Sequence, residues 1–302
     1  MTIECSIGII KESDKYLFSK RSKKPFLDYF EFPGGKLEPD ESPEEAIDRE
    51  ISEELGIKII NKIKIGSLIH LYNNLKVKIY IYKIVSYEGN IIPREQQKLF
   101  YLNPLDSYNK FIESTHRIIN YISLPRYLHI ISDIKSSLNF IKGSRKYFDN
   151  MIRLRSFGLT EDCYVNQAKK ISEISSNNDA KLILDVKYIR SCQGISYSGI
   201  HYTSHEINNI KTNMRIDKNI TYSASCHNLR EIRIANQLNL DFILLSPVLS
   251  SKLNSPSIGW TNFKSLSKEA NMPVFALGGI SKDDLKTCMA NDGYGVSGIS
   301  KF

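Results

Sequence analysis

The chain has 302 residues, 41% of them hydrophobic and 25% charged, with 41 Lys and Arg against 33 Asp and Glu for a formal net charge of +8. That length suits two domains, each with enough apolar residues for a buried core. Five scattered cysteines (Cys5, Cys163, Cys192, Cys226, Cys288) with no CxxC pair argue against a disulfide framework and a zinc site.

The start, MTIECSIGIIKESDK, lacks a basic segment followed by an apolar core, so no signal peptide is expected. No apolar run approaches the roughly 20 residues of a membrane helix. A soluble, cytoplasmic protein without membrane partners is the expectation. The charge is uneven. Residues 1–122 hold 18 basic and 18 acidic residues, and residues 123–302 hold 23 and 15. A basic half can attract phosphorylated ligands or nucleic acid. No basic cluster is interleaved with aromatics, however, and a lysine-rich compositional bias is the simpler reading, so no specific nucleic-acid partner is expected.

Cys5–Ile10 and Tyr16–Ser19 read as strands around the turn Glu12-Ser13-Asp14. Glu31-Phe32 leads into Pro33-Gly34-Gly35, where the glycines allow close backbone approach. Glu44–Leu55 is a helix by composition. Ser42 is its predicted N-cap, Pro43 its first residue and Glu45 the partner in a capping box, with Gly56 as the stop. Glu50, Glu53 and Glu54 share one face of that helix, and Ala46, Ile47, Ile51 and Leu55 form an apolar strip elsewhere. Three carboxylates this close repel one another unless cations bind them. Hard oxygen ligands suit magnesium or manganese, which bridge phosphates. Arg49 is placed to pair with Glu41 and tie loop to helix. Taken alone, the acidic face could also be a solvated helix surface.

The spacing decides between those readings. Gly35, five residues, Glu41, seven residues, Arg49-Glu50-Ile51, one residue, Glu53-Glu54, one residue, Gly56-Ile57 is the full pattern of the Nudix box. The first half of the chain therefore resembles the Nudix hydrolases of MutT type. The resemblance implies an α/β/α sandwich, a divalent cation (Mg2+ or Mn2+) and a nucleoside triphosphate substrate. It implies metal contacts from the Gly34 carbonyl, Glu50, Glu53, Glu54 and Glu95, the last from the stretch Arg94-Glu95-Gln96-Gln97. It implies catalytic roles for Glu41, Arg49, Glu50 and Glu53, with the general base left open between Glu50 and Glu53. Arg21, Phe32 and Lys36 are the implied substrate contacts. Thr115 takes the place of an asparagine that reads an oxidised guanine, and a hydroxyl cannot offer the paired donor and acceptor of an amide. Asn109 lies too far upstream to replace it. Base selectivity is left open on that account.

Ile63–Leu71 and Val77–Val85 alternate as strands with Asn73-Asn74 as a hairpin turn. Phe100–Leu102 is another short strand, and Phe111–Tyr121 is predicted helical. Pro125 ends that helix, giving a first domain of 1–122, a linker of 123–126 and a second domain of 127–302. In the second, eight strand candidates recur with helical stretches such as Glu161–Ser175 and Leu229–Leu238 between them. They are Tyr127–Ser132, Met151–Leu154, Lys181–Asp185, Gly199–Tyr202, Thr221–Ser225, Phe242–Leu245, Val274–Ala276 and Gly295–Ile299. Such alternation predicts a small (β/α)8 barrel of TIM type. Ser246 follows a strand at the end where barrel active sites gather. Gly278-Gly279 can expose amides to phosphate, and Lys252 lies in a nearby loop. A tight turn and a solvated lysine are the alternatives.

Residues 127–302 resemble the thiamine phosphate synthase/TenI family in SCHNL (225–229), DFILLSPV (241–248), PSIGW (256–260) and PVFALGGI (273–280). The resemblance implies a thiamine phosphate-type ligand for the barrel. Departures point to a catalytically degenerate one. Arg153-Leu154-Arg155-Ser156-Phe157 lacks the lysine of the family's pyrophosphate motif. The Asn-Asp magnesium site is reduced to Leu184-Asp185, leaving Asp185 and Glu206 as the remaining hard ligands. His201 and His227 follow the family's non-metal motifs. The functional expectation is a magnesium-dependent nucleoside triphosphate pyrophosphohydrolase that cleanses oxidised purine nucleotides such as 8-oxo-dGTP. The alternatives are hydrolysis of thiamine-type diphosphates coupled to the barrel, retained synthase activity, or a binding or scaffold barrel, with a homo-oligomer left open.

Overall fold

The computed structural model describes all residues except 1, 23, 25, 73–74, 96, 105–110, 132, 134–150, 178, 211–216, 218, 250–255 and 300–302. The expected turn at Asn73-Asn74, Gln96, Asn109, the strand end at Ser132 and Lys252 lie outside the described residues. The chain divides into two compact units, Met1–Ser123 and Leu124–Phe302.

The first unit contains β1 (Thr2–Ile9), β2 (Lys11–Glu12), β3 (Lys15–Lys20), β4 (Phe30–Glu31), β5 (Gly34–Lys36), α1 (Pro43–Leu55), β6 (Lys58–Tyr72), β7 (Leu75–Glu88), β8 (Lys98–Leu102) and α2 (Glu113–Ser123). One mixed sheet has the order β5-β1-β7-β6, and a second joins β2, β3 and β4, with β8 paired to β3. β1 runs parallel to β7, Ile7 opposite Ile81, and antiparallel to β5, Ile7 opposite Gly34. The glycine segment, which the sequence reads as a loop, is thus an edge strand of the main sheet. Only glycine can sit there. Gly34 has φ +134°, and a Cβ on it would lie 2.2 Å from the Ser6 carbonyl.

The long hairpin of β6 and β7 exceeds its predicted length at both ends because cross-strand pairing continues to Lys58–Glu88, beyond the apolar stretch. The last helix begins at Glu113, two residues later than expected. Phe111 instead bridges Phe30 and is buried among Phe18 and Phe30. α2 lies close over β6, where a Cβ on Gly66 would meet the Tyr121 ring at 2.2 Å.

The second unit is a closed barrel of eight parallel strands: β9 (Tyr127–Ile131), β10 (Met151–Leu154), β11 (Lys181–Asp185), β12 (Gly199–Tyr202), β13 (Thr221–Cys226), β14 (Phe242–Leu245), β15 (Val274–Ala276) and β16 (Gly295–Gly298). β16 pairs with β9 to close it, Ser297 opposite Leu128. Its helices are α3 (Glu161–Ser176), α4 (Ser204–Asn208), α5 (Leu229–Gln237), α6 (Gly259–Ser267) and α7 (Leu285–Ala290). The crossover after β11 is a 3-10 segment, Val186–Cys192, kinked at Tyr188. Strands buried on both faces read as continuous apolar runs; Phe242–Leu245 and Met151–Leu154 are buried throughout.

In α1, Ala46, Ile47, Ile51 and Leu55 are fully buried. Leu55 packs in a cluster with Leu17, Ile47, Ile51, Ile57 and Tyr82. We expect Leu55→Ala to cost about 2–5 kcal/mol; urea unfolding followed by far-UV circular dichroism measures it.

Candidate functional site

Local chemistry sets α1 in place. Ser42 accepts a hydrogen bond from the Glu45 amide while the Glu45 carboxylate accepts from the Ser42 amide, and Gly56 takes the left-handed conformation at the other end. Burying the apolar strip turns Glu50 and Glu54 toward the glycine strand and leaves Glu53 half-exposed beside Arg49. The Glu54 carboxylate accepts a hydrogen bond from the Gly34 amide at 3.0 Å. Gly35 lies against Glu50, whose carboxylate would be 2.3 Å from a Cβ at that position.

Arg49 organises the rest. Its guanidinium donates to both Glu41 oxygens at 2.8 and 2.9 Å, to Glu50 at 3.0 Å, to Glu53 at 3.1 Å and to the Lys36 carbonyl at 3.0 Å. The bidentate Glu41 pair is the charge-assisted form with strong geometric preference. Bonding to Arg49, with a second bond from the Glu38 amide, holds the Glu41 carboxyl down at about 2.

The carboxylates of the helix face behave oppositely. Burial, then the nearby charges of Glu50, Glu95 and Glu31, pushes Glu54 up to about 8 against the opposing Gly34 bond. Burial likewise raises Glu50, with Glu53 and Glu95 adding repulsion to the opposing pull of Arg49. Glu95 is exposed in the loop between β7 and β8, and that loop is pinned to the helix end. The Arg94 amide donates to the Glu54 carbonyl at 3.0 Å, and the Gln97 side-chain amide donates to the same carbonyl at 2.9 Å.

The residues fit a divalent cation by this chemistry. Glu50, Glu54 and Glu95 are all-oxygen donors that repel one another, the first two partly withdrawn from water, and a dication relieves both penalties. Among the described residues no three acidic, His or Cys side chains yet converge on one point. Arg49 occupies the space between Glu50 and Glu53, while Glu54 points to Gly34.

The expected substrate contacts are dispersed. Arg21 is in an ion pair with Glu31 beside β4. Phe32 is 3% exposed, its ring 4.5 Å from that of Phe18, so it serves the aromatic core rather than an open cleft. Lys36 is exposed on β5. Thr115 is 1% exposed in the first turn of α2, its amide bonded to the Ile112 carbonyl. Sequence reasoning passed over its neighbours. The Tyr72 hydroxyl donates to Ser114, and His70 is buried edge-on to Tyr72 with Glu113 3.7 Å away. The alternation of β6 put His70 and Tyr72 on one face, but nothing in the sequence tied that face to α2.

In the second unit, a cavity of about 580 Å³ opens where the barrel strands end. Ser246, Gly278 and Gly279 line it. Both glycines have positive φ, and a Cβ would strike Pro247 or Leu249 below 3.0 Å, so loop packing alone requires them. His227 borders the cavity with Nδ1 2.7 Å from the Ser246 carbonyl. His201 is fully buried between the Ser223 and Ser225 hydroxyls at 2.8 and 2.9 Å. Arg153, Arg155, Ser225 and Ser297 line the cavity too, and none was singled out as a ligand contact from sequence.

A family model described as NUDIX domain matches residues 5–111, and one described as thiamine monophosphate synthase matches residues 130–302. The chain is 35% identical over 115 residues to an 8-oxo-dGTP diphosphatase of Buchnera aphidicola, covering 37% of this chain and 87% of that protein. It is 28% identical over 186 residues to an Aquifex aeolicus protein whose name carries the words thiamine-phosphate synthase 2, covering 60% of this chain and 99% of that protein. Among solved structures, a thiamine phosphate pyrophosphorylase from Pyrococcus furiosus aligns at 18% identity with a TM-score of 0.48, over 59% of this chain and 86% of that one.

Gly34→Ala forces a side chain into a left-handed backbone against Ser6. We expect a loss of roughly 1–3 kcal/mol, read as a lowered thermal unfolding midpoint.

Proposed function

Because the chain belongs to the NUDIX family through residues 5–111 and to the thiamine monophosphate synthase family through residues 130–302, we propose that it hydrolyses phosphoric anhydrides as a MutT-like nucleoside triphosphate pyrophosphohydrolase. The substrates in this reading are oxidised purine nucleotides such as 8-oxo-dGTP, released as the monophosphate and pyrophosphate, a nucleotide-pool cleansing activity that protects DNA. The observation that carries it is the acidic face of α1, held against the glycine strand and laced together by Arg49.

Glu50, Glu53, Glu54 and Glu95, with the Gly34 carbonyl, would hold Mg2+ or Mn2+. Such a cation neutralises phosphate oxygens and lowers the pKa of a bound water. The chain's own residues do the remainder. Arg49 keeps Glu50 and Glu53 in fixed positions and, tied to Glu41, stops the loop from moving away from the helix. Of the two candidates for general base, Glu53 is the accessible one, its side chain 52% exposed against 16% for Glu50. It is the better placed to take a proton from a water. Arg21 and Lys36 supply positive charge beside the site for the polyphosphate. Thr115, Ser114 and Tyr72 supply hydroxyls in the first turn of α2 and on the adjoining strand, beside which the base would be read. Phe32 contributes by packing under that region.

The second unit binds a thiamine phosphate-type ligand in its cavity in this reading, with Ser246, Gly278 and Gly279 at the anionic end. The chain's free cysteines, two of them exposed or half-exposed, support a cytoplasmic setting. A second reading draws on the pairing of the two units in one chain: the first trims thiamine-type diphosphates and the barrel binds the product. A panel of 8-oxo-dGTP, dGTP and thiamine diphosphate, scored for pyrophosphate against phosphate with Mg2+ and with chelator, separates the two. We expect pyrophosphate from 8-oxo-dGTP, abolished by chelation and reduced by roughly 10²-fold or more in Glu53→Gln. Unchanged turnover in that variant removes the box from the chemistry.

A further inference from the structure

Asp185, at the end of β11, and Glu206 are the two acids left to the second unit where its family resemblance implies a magnesium site. Both are engaged within the fold, Asp185 through both of its oxygens. Asp185 is 1% exposed. Its Oδ1 accepts from Arg153 Nε at 2.8 Å, and its Oδ2 accepts from both the amide and the hydroxyl of Ser156 at 2.8 Å. Its backbone is fixed as well. The Asp185 amide donates to the Tyr164 hydroxyl at 2.7 Å, which donates to the Leu154 carbonyl at 3.1 Å. A buried carboxylate bonded in this way to a guanidinium is already neutralised, and losing either partner leaves an uncompensated charge. Glu206 commits one oxygen, since its Oε2 closes the cap of α4 by accepting from the amide and hydroxyl of Thr203 at 2.7 and 2.8 Å.

The cavity beside this pair has the complementary character. Arg153 and Arg155 line it, and among the described lining residues there is no Asp or Glu. Arg155 is half-buried, with its guanidinium over the Phe157 ring at 4.6 Å and no salt bridge among the described residues; the Asp185 charge that acts on it is already bonded to Arg153. Ser297 lines the same cavity, wholly buried, with its hydroxyl unpartnered among the described residues. A half-buried cation and an unsatisfied buried hydroxyl facing one cavity both gain from an anion.

We infer that the second unit takes a phosphate-ended ligand without a divalent cation, Arg153 serving as the built-in counter-ion of Asp185 and Arg155 meeting the phosphate. The inference rests on the reading that this cavity binds a phosphorylated ligand. It removes from this barrel any step that expels pyrophosphate through a metal held by Asp185. It also makes Arg153 the residue that decides the matter.

Trp260 is the chain's single tryptophan and the second residue of α6, whose preceding residue is bonded to the cavity loop through Ile258 N to the Pro247 carbonyl at 2.9 Å. Its emission therefore reports on the barrel within the intact chain, whatever the first unit binds. The experiment titrates the full chain with inorganic phosphate, in chelator and in excess Mg2+, following Trp260 emission and the unfolding midpoint read through it. The expected result is the same saturable phosphate response in both conditions, weakened roughly tenfold or more in Arg155→Gln. In Arg153→Gln, Asp185 is left without its cation, and Mg2+ should now raise an unfolding midpoint that it leaves unmoved in the parent chain. Should Arg153→Gln fail to fold, the parent titration still decides. A response that needs Mg2+ in the parent chain overturns the metal-free inference and spares the phosphate reading. No response of either kind to phosphate overturns both.

Discussion

The first unit depends on the two-sided character of one helix. Ala46, Ile47, Ile51 and Leu55 leave water completely, and the helical repeat then obliges Glu50, Glu53 and Glu54 to share one face, Glu50 and Glu54 beside the glycine strand. Gathering like charges in a half-buried place is costly. The chain offsets that cost with one guanidinium, which reaches Glu41, Glu50, Glu53 and the Lys36 carbonyl together, and with one backbone donor at Gly34. The opposite directions in which Glu41 and Glu54 move from ordinary carboxylate behaviour express this division of labour. Glu41 is satisfied by Arg49, whereas burial and repulsion push Glu54 upward.

The second unit solves a similar problem in another way. Its buried acid, Asp185, has its own arginine and a serine that bonds it twice, so the charge is cancelled within the strands. One unit keeps an acidic cluster under electrostatic stress that a dication can relieve. The other has relieved its stress internally and leaves a basic, hydroxyl-lined cavity. Absence of the lysine and asparagine that the family resemblance implies looks in sequence like decay. In three dimensions Arg153 is bonded to the one buried carboxylate that remains, so Asp185 keeps a counter-ion within the fold.

Much of this was legible from residues alone. The box helix, its capping box and its glycine stop depend on contacts within a few residues, and the structure places the helix one residue from its predicted start. Barrel strands such as Met151–Leu154 and Phe242–Leu245 carry their signal in short, largely apolar runs, because strands covered on both faces are mostly apolar. Less was legible where partners come from far along the chain. Gly34–Lys36 pairs as a strand only because β1 lies beside it. Phe111 leaves the predicted helix because Phe30 and Phe18 bury it. Phe32 reads as a base contact by motif position, yet the core claims its ring.

By itself the sequence determined the spacing of charge along α1, the two kinds of repeat that separate a mixed α/β unit from a parallel barrel, and the presence of both family patterns. These are local or periodic properties, and a linear string records them completely. Tertiary structure alone decided which charges meet. Arg153 and Asp185 are 32 residues apart, and Tyr72 and Ser114 are 42 apart. Whether such groups neutralise one another or face a ligand depends on strand register and on exclusion of water, and neither is written in any short stretch of residues.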